Sequence, residues 1–208
     1  MEKLDLTKHY KAYYHAKMQP EIVDIEEAQY LSIQGKGDPS GKGFSENVQA
    51  LYQTAYAVKF LLKTANRDFV VAKLEGQWSF DEEKYKKVTM EDAPTIIPRN
   101  EWSYTMMIRM PDFVENSHLA NAIDQILKKK QNQLVKQIKL LQKNKERVVQ
   151  MMHIGPFDTE PETLKQIKRF MDAEELIRNG FHHEIYLTDF NRTAPEKLRT
   201  ILREPVKF

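Results

Sequence analysis

The 208-residue chain contains no cysteine. That excludes a disulfide, a thiolate nucleophile and a thiolate metal site, and it fits a cytoplasmic home. Long apolar runs are also missing: none approaches the about eighteen residues that a membrane span requires. The N-terminal stretch MEKLDLTKHYKAYYHAK is polar and aromatic and has no signal-peptide core. Charge of one sign is scarce, since 32 Lys and Arg against 30 Asp and Glu leave a net +2. That balance gives no argument for nucleic acid. Aromatic residues are abundant, with ten Phe, nine Tyr and two Trp, enough to line a pocket with rings. The length suffices for a sizeable core.

Residues 1–20 read as an N-terminal tail and 21–208 as one domain. AQYLSIQG (28–35) is an alternating strand ending in glycine. A Gly/Pro/Ser loop follows, and Ser45 is placed to cap a helix beginning at Glu46. That helix carries Val48, Leu51, Ala55, Val58 and Leu62 on one stripe. DFVVAKLEGQW (68–78) and WSYTMMIRM (102–110) read as strands separated by a polar surface excursion. Leu119, Ile123, Ile126, Leu134, Ile138 and Leu141 predict a long helix over 114–147. VVQMMHIG (148–155) is again a strand ending in glycine, followed by a helix closed near Gly180. HHEIYLTD is a strand, and LRTILREPVKF reads as a helix end with a last short strand.

The order therefore repeats. Strand, helix, strand and strand occupy about 21–113, and the same pattern returns in 148–208. The fold expected is α+β: tandem modules joining their strands in one antiparallel sheet, with helices on one face and a ligand trough on the other.

Several motifs invite sharper readings. KGDPSGKGFS looks like a phosphate loop but fails on spacing: Lys36 stands where a glycine is required, and Gly43 follows Lys42. His182, His183, His153 and Glu184 contain metal-ligating side chains. Adjacent strand residues point to opposite faces, however, so His182 and His183 cannot share a site, and no metal or cofactor is expected. Residues 128–147 hold eight Lys and Arg against one acid, Glu146. No aromatic residue interleaves them, so a solvated face accounts for them and nucleic acid is not an expected partner. LEGQW places Glu75 and Trp78 around a glycine. WSYTM sets Trp102, Tyr104 and Met106 on one face, and HHEIYL sets His182, Glu184 and Tyr186 on one face. Trp and Tyr carry polar tips and suit core and cavity walls alike.

Taken together, AQYLSIQGKGDP, KLEGQW, EWSYTMMIRMPDFV, VVQMMHIGPFD and FHHEIYLTDFNRTAPEKLRTILREPV resemble the GyrI-like small-molecule-binding family. That family includes gyrase-inhibitory proteins and the ligand domains of multidrug-sensing transcription activators. The resemblance implies a trough between the two modules in which Glu184 meets cationic or planar aromatic ligands. Trp78, Trp102 and Tyr104 match its wall, and Tyr186, Glu75, Tyr56, Met106 and His182 complete the candidate ligand-binding set. Only about twenty residues precede the first strand, too few for a helix-turn-helix domain, so a regulator is not expected. One stand-alone branch hydrolyses cyclopropanoid genotoxins, DNA alkylators whose strained ring is conjugated to a dienone. By that resemblance Glu184 is the general base on water, with Tyr104 or Tyr186 as hydrogen-bond donor to the developing oxyanion. The rival is a non-catalytic binder that sequesters drugs or inhibits a partner such as gyrase, with Glu184 as counter-ion.

Overall fold

Side-chain alternation along the strands decides the architecture, because the central strands have both faces covered. The computed structural model describes residues 3–89 and 91–208. The chain opens with β1 (Leu4–Asp5) and a helical turn, α1 (Leu6–His9). β2 (Glu21–Ile25), β3 (Ala28–Lys36), the long helix α2 (Lys42–Thr64), β4 (Phe69–Val70) and β5 (Leu74–Ser79) follow. A short α3 (Ala93–Ile96) precedes β6 (Ser103–Met110) and α4 (Asn116–Lys130). The second half holds β7 (Lys139–Lys143), β8 (Glu146–Ile154), α5 (Glu160–Ala173), β9 (Ile177–Arg178), β10 (His182–Tyr186) and β11 (Arg199–Lys207).

The fold is α+β with one large antiparallel sheet, ordered β2-β8-β11-β10-β5-β6-β3-β7, with β9 added on β11. β3, β6 and β5 form the sheet of the first module, and β8, β11 and β10 that of the second. The two meet where β5 pairs with β10. The outer edges are exchanged: β2, which leads into β3, pairs with β8, and β7, which leads into β8, pairs with β3. Helices α2 and α5 pack on the same face, where Leu51, Ala55, Val58 and Leu62 of α2 and Leu164, Ile167 and Met171 of α5 are buried.

Three segments differ from the sequence reading. The tract 114–147 is helical only to Lys130. Gln131 turns the chain with a left-handed φ of 52°, a 3₁₀ turn spans Gln133–Gln137, and the next residues become edge strand β7. Leu140 and Leu141 pack on opposite faces of the sheet, a period-two arrangement that the apparent helical seam concealed. The final segment is one continuous strand, because β10 and β8 pair with it on either side. Helix α2 starts earlier than expected, at Lys42 with extended Gly41 as cap, and Ser45 lies inside its first turn.

The N-terminal segment is packed structure, where the sequence suggested a tail. Tyr13, Tyr14 and Ala16 are buried on the sheet face opposite the helices. The Gln150 side-chain amide donates to the His15 carbonyl at 3.0 Å, and the Arg203 guanidinium donates to the Tyr13 carbonyl and lies over its ring. Tyr13 donates from its hydroxyl to Glu75 Oε2 at 2.5 Å, and His183 Nε2 lies 2.9 Å from the same oxygen. Glu75 therefore sits beneath the N-terminal segment and is not part of the ligand cavity.

Burial pushes the Glu75 carboxyl up to about 7, against the Tyr13 hydrogen bond and the Arg203 charge that favour its ionised form. An acid whose folded pKa is raised leaves the fold unpenalised below about 4.5 and fully penalised above about 7. The stability of wild type relative to Glu75→Gln should fall by roughly 3 kcal/mol between those limits. Taking this difference cancels most of the opposing contribution of His183, whose pKa burial lowers. Urea unfolding at pH 5 and pH 7.5 checks it, and a difference independent of pH would show that Glu75 is buried ionised.

Candidate ligand cavity

Antiparallel register brings cross-strand neighbours onto one face. On the helix-bearing face the seam aligns Trp78 with His182, Gly76 with Glu184, and Leu74 with Tyr186. Above this patch lies a cavity of about 400 Å³ between α2 and α5, within the range of small-molecule sites. Phe44 of α2 and Glu160, Pro161 and Leu164 of α5 wall it, and Pro94, Thr95 and Arg99 of the polar excursion lie across its mouth. The trough expected opposite the helices therefore lies on the same side as they do. The other face is filled by the N-terminal segment, whose polar, non-periodic pattern carries no signal of burial.

Rings dominate the walls. Phe44 stacks on Trp78 with centroids 5.9 Å apart, and Trp102 meets Trp78 edge-on at 6.3 Å. Phe157, Tyr186 and Phe190 form a second cluster, each pair edge-on at about 6 Å. Trp78 Nε1 donates to the Tyr186 hydroxyl at 3.1 Å, joining the two clusters, and the Tyr186 hydroxyl in turn faces the Glu184 carboxylate. Burial, reinforced by the neighbouring Glu184 carboxylate, raises the Tyr186 pKa well above its ordinary value, so the phenol keeps that proton.

The polar part of the site centres on His182. Its Nδ1 lies 2.6 Å from Glu204 Oε1, and its Nε2 lies 3.2 Å from Glu184 Oε1. Burial opposes a charged ring, yet Glu204 and Glu184 outweigh it and raise the His182 pKa to about 10. Arg178, half-buried and also paired with Glu82, has its Nε 3.4 Å from the other Glu204 oxygen and ends the chain of alternating charges. Glu160, in the first turn of α5, lines the cavity and is only 7% exposed, and its Oε1 has no hydrogen-bond partner. Burial first, and then the Glu184 charge, raises the Glu160 pKa well above the carboxylate range.

Five of the expected residues thus meet in the cavity: Glu184, His182, Tyr186, Trp78 and Trp102. Tyr104 lies behind that wall, its ring against Phe44 and Trp78 and its hydroxyl accepting a 3.0 Å bond from Asn47, so it does not face the cavity. Met106 is fully buried, its sulfur lying over Gly76 of the neighbouring strand, and it does not line the cavity. Tyr56 projects from the exposed side of α2, beside Phe60 and facing α4, away from the cavity. Phe44, Phe157, Phe190 and Glu160 were not anticipated. Phe157 and Phe190 follow strands in non-periodic loops, and Glu160 reads as an ordinary acid at a helix start, favourable to the dipole. Among the described residues no group of three His, Cys, Asp or Glu side chains is placed to hold a metal, and no helix is long and apolar enough to cross a membrane.

Trp102→Ala should weaken binding of a planar aromatic ligand roughly three- to tenfold, the worth of one aromatic contact of about 0.5–1.5 kcal/mol. Titration followed by the fluorescence of Trp78 measures it. Unchanged affinity would remove Trp102 from the ligand wall.

An uncharacterized conserved protein from Listeria innocua is 36% identical to this chain, with a TM-score of 0.87 over 99% of this chain and 100% of that one. Two structures of hydrolases from the same organism are each 35% identical, with TM-scores of 0.84 and 0.85 and the same coverage. No curated protein matches the chain. The model of the GyrI-like small molecule binding domain spans residues 18–207, which takes in both modules, the seam and every cavity residue described above, and the chain belongs to that family.

Proposed function

We propose that the protein binds planar aromatic small molecules in the cavity between α2 and α5 and hydrolyses those that carry an activated cyclopropane. The observation that carries this reading is a carboxylate, Glu184, set in a cavity walled by aromatic rings and hydrogen-bonded to a charged imidazole. Stacking between the Trp78 and Phe157 clusters holds the flat ligand and excludes water from its faces. Glu184 takes a proton from one remaining water, and the resulting hydroxide equivalent attacks the cyclopropane carbon. The ring C–C bond breaks, its electron pair passes into the dienone, and the carbonyl oxygen becomes a phenol on gaining a proton. Tyr186, which keeps its phenol proton and shares the cavity with Glu184, is the proposed donor to that oxygen, exchanging its bond to Glu184 for one to the oxyanion. The resemblance assigned this role to Tyr104 or Tyr186, and the geometry favours Tyr186. The similarity to the two Listeria hydrolases supports catalysis over simple sequestration.

Glu184→Gln is nearly isosteric and still hydrogen-bonds a water, but it cannot take the proton. Turnover of a cyclopropanoid drug, followed by loss of dienone absorbance, should fall about a hundredfold or more. Binding of a neutral aromatic ligand should change little. Wild-type consumption that stops at one equivalent per protein would instead identify a sequestering protein, with Glu184 serving only as counter-ion.

A further inference from the structure

The cavity holds more carboxylates than its fixed cations can neutralise. Glu160, Glu184 and Glu204 face it or adjoin it, against the charged His182 ring and Arg178. Glu184 and Glu204 each contact His182, and Glu204 also contacts Arg178, whereas the Glu160 oxygen Oε1 is buried and unpartnered. The other groups near the start of α5 do not change this count. Asp158 and Arg99 are exposed at the rim, Glu82, the second partner of Arg178, is exposed to solvent, and Tyr186 retains its proton. His153 of β8 is engaged by Thr163, Thr159 and the Pro156 carbonyl. An uncompensated charge in a partly desolvated site is costly, which favours the protonated form of Glu160 in the empty cavity.

We infer that Glu160 is the proton-exchanging residue of the ligand cavity: it is neutral when the cavity is empty or holds a neutral aromatic molecule, and it releases its proton when a lipophilic monocation enters. One positive charge arrives and one leaves, so the cavity stays balanced. The same walls then accept two ligand classes that a permanently ionised or permanently neutral site would separate. The direction of the Glu160 shift, caused by burial and Glu184, agrees with this assignment. The inference rests on the binding reading proposed above and is independent of hydrolysis.

The sign follows from linkage. Below the Glu160 pKa of the free protein, a cation must displace a proton, so its affinity rises up to tenfold per pH unit and levels off above that pKa. Affinity for a neutral ligand stays flat. Calorimetric titration of the full chain with tetraphenylphosphonium, which has no proton of its own, and with neutral triphenylphosphine oxide tests this between pH 6 and 8. Two buffers of different ionisation enthalpy count the protons. The expected result is up to one proton released per phosphonium and none per phosphine oxide. Glu160→Gln should abolish the release and the pH slope for the cation while affinity for the neutral ligand stays independent of pH, and Glu160→Asp should retain both the release and the slope. Phosphonium binding without proton release, or a Glu160→Gln variant with the wild-type slope, would overturn the inference and leave the binding reading intact. Failure of the wild type to bind either probe would overturn both.

Discussion

The pairing of β5 with β10 is the interaction on which both faces of the molecule depend. It joins two three-stranded sheets into one, and its register fixes what stands beside what. On the helix side it sets Trp78 against His182 and leaves Glu184 opposite a glycine. On the other side it sets Glu75 beside Ile185 and His183 beside Gln77, so that a second polar cluster forms under the N-terminal segment. A slip of β10 by one residue against β5 would bring His183 to the cavity face and bury Glu184 beneath Tyr13, while Glu75 stayed where it is. The strength of the seam's register is therefore part of the chemistry of the site.

The glycine opposite Glu184 has a further purpose. A Cβ at position 76 would lie 3.0 Å from Trp78 Nε1 and 3.1 Å from the Tyr186 hydroxyl. The Trp78–Tyr186 hydrogen bond spans the place where that side chain would stand. Two bulky residues can thus cross the seam and tie the aromatic clusters together while Glu184 keeps open space in front of it. The charged groups behind it follow a different logic. Buried ions are tolerated when each contacts an opposite charge, and the order Glu184, His182, Glu204, Arg178 meets that condition link by link. Glu160 lies outside the chain, which is why its environment differs so sharply from that of Glu184 in the same cavity.

Much of the fold was legible because its signals are local. Glycine-ended alternating strands, a stripe on α2 and the doubled order of elements follow from side-chain period alone. The pairs on HHEIYL and the two tryptophans were legible for the same reason: period two assigns His182, Glu184 and Tyr186 to one face. The misplaced residues failed where period gives only relative phase. Glu75 and Trp78 are three apart and so oppose each other on a strand, and nothing in LEGQW says which face is the cavity. Tyr104 and Trp78 share a face, yet Tyr104 is turned toward Asn47 by a helix whose position no local pattern encodes. The end of the 114–147 helix was hidden because Leu134, Ile138 and Leu141 satisfy helical spacing by coincidence. The loop residues Phe157 and Phe190 carry no periodic signal.

The exchanged edge strands have a consequence for how the halves of this molecule relate. Each module is completed by the strand that leads into the other: β2 closes β8, and β7 closes β3. Neither half can therefore leave without opening an unsatisfied edge on both. Together with the central seam, this gives three separate ladders crossing from one pseudo-repeat to the other, and it makes the protein a single cooperative unfolding unit, although its sequence reads as two. Severed halves would each present raw strand edges, and an arrangement in which two chains trade their N-terminal strands would satisfy every backbone bond that the monomer does. The exchange of edge strands thereby binds the two pseudo-repeats into one thermodynamic object.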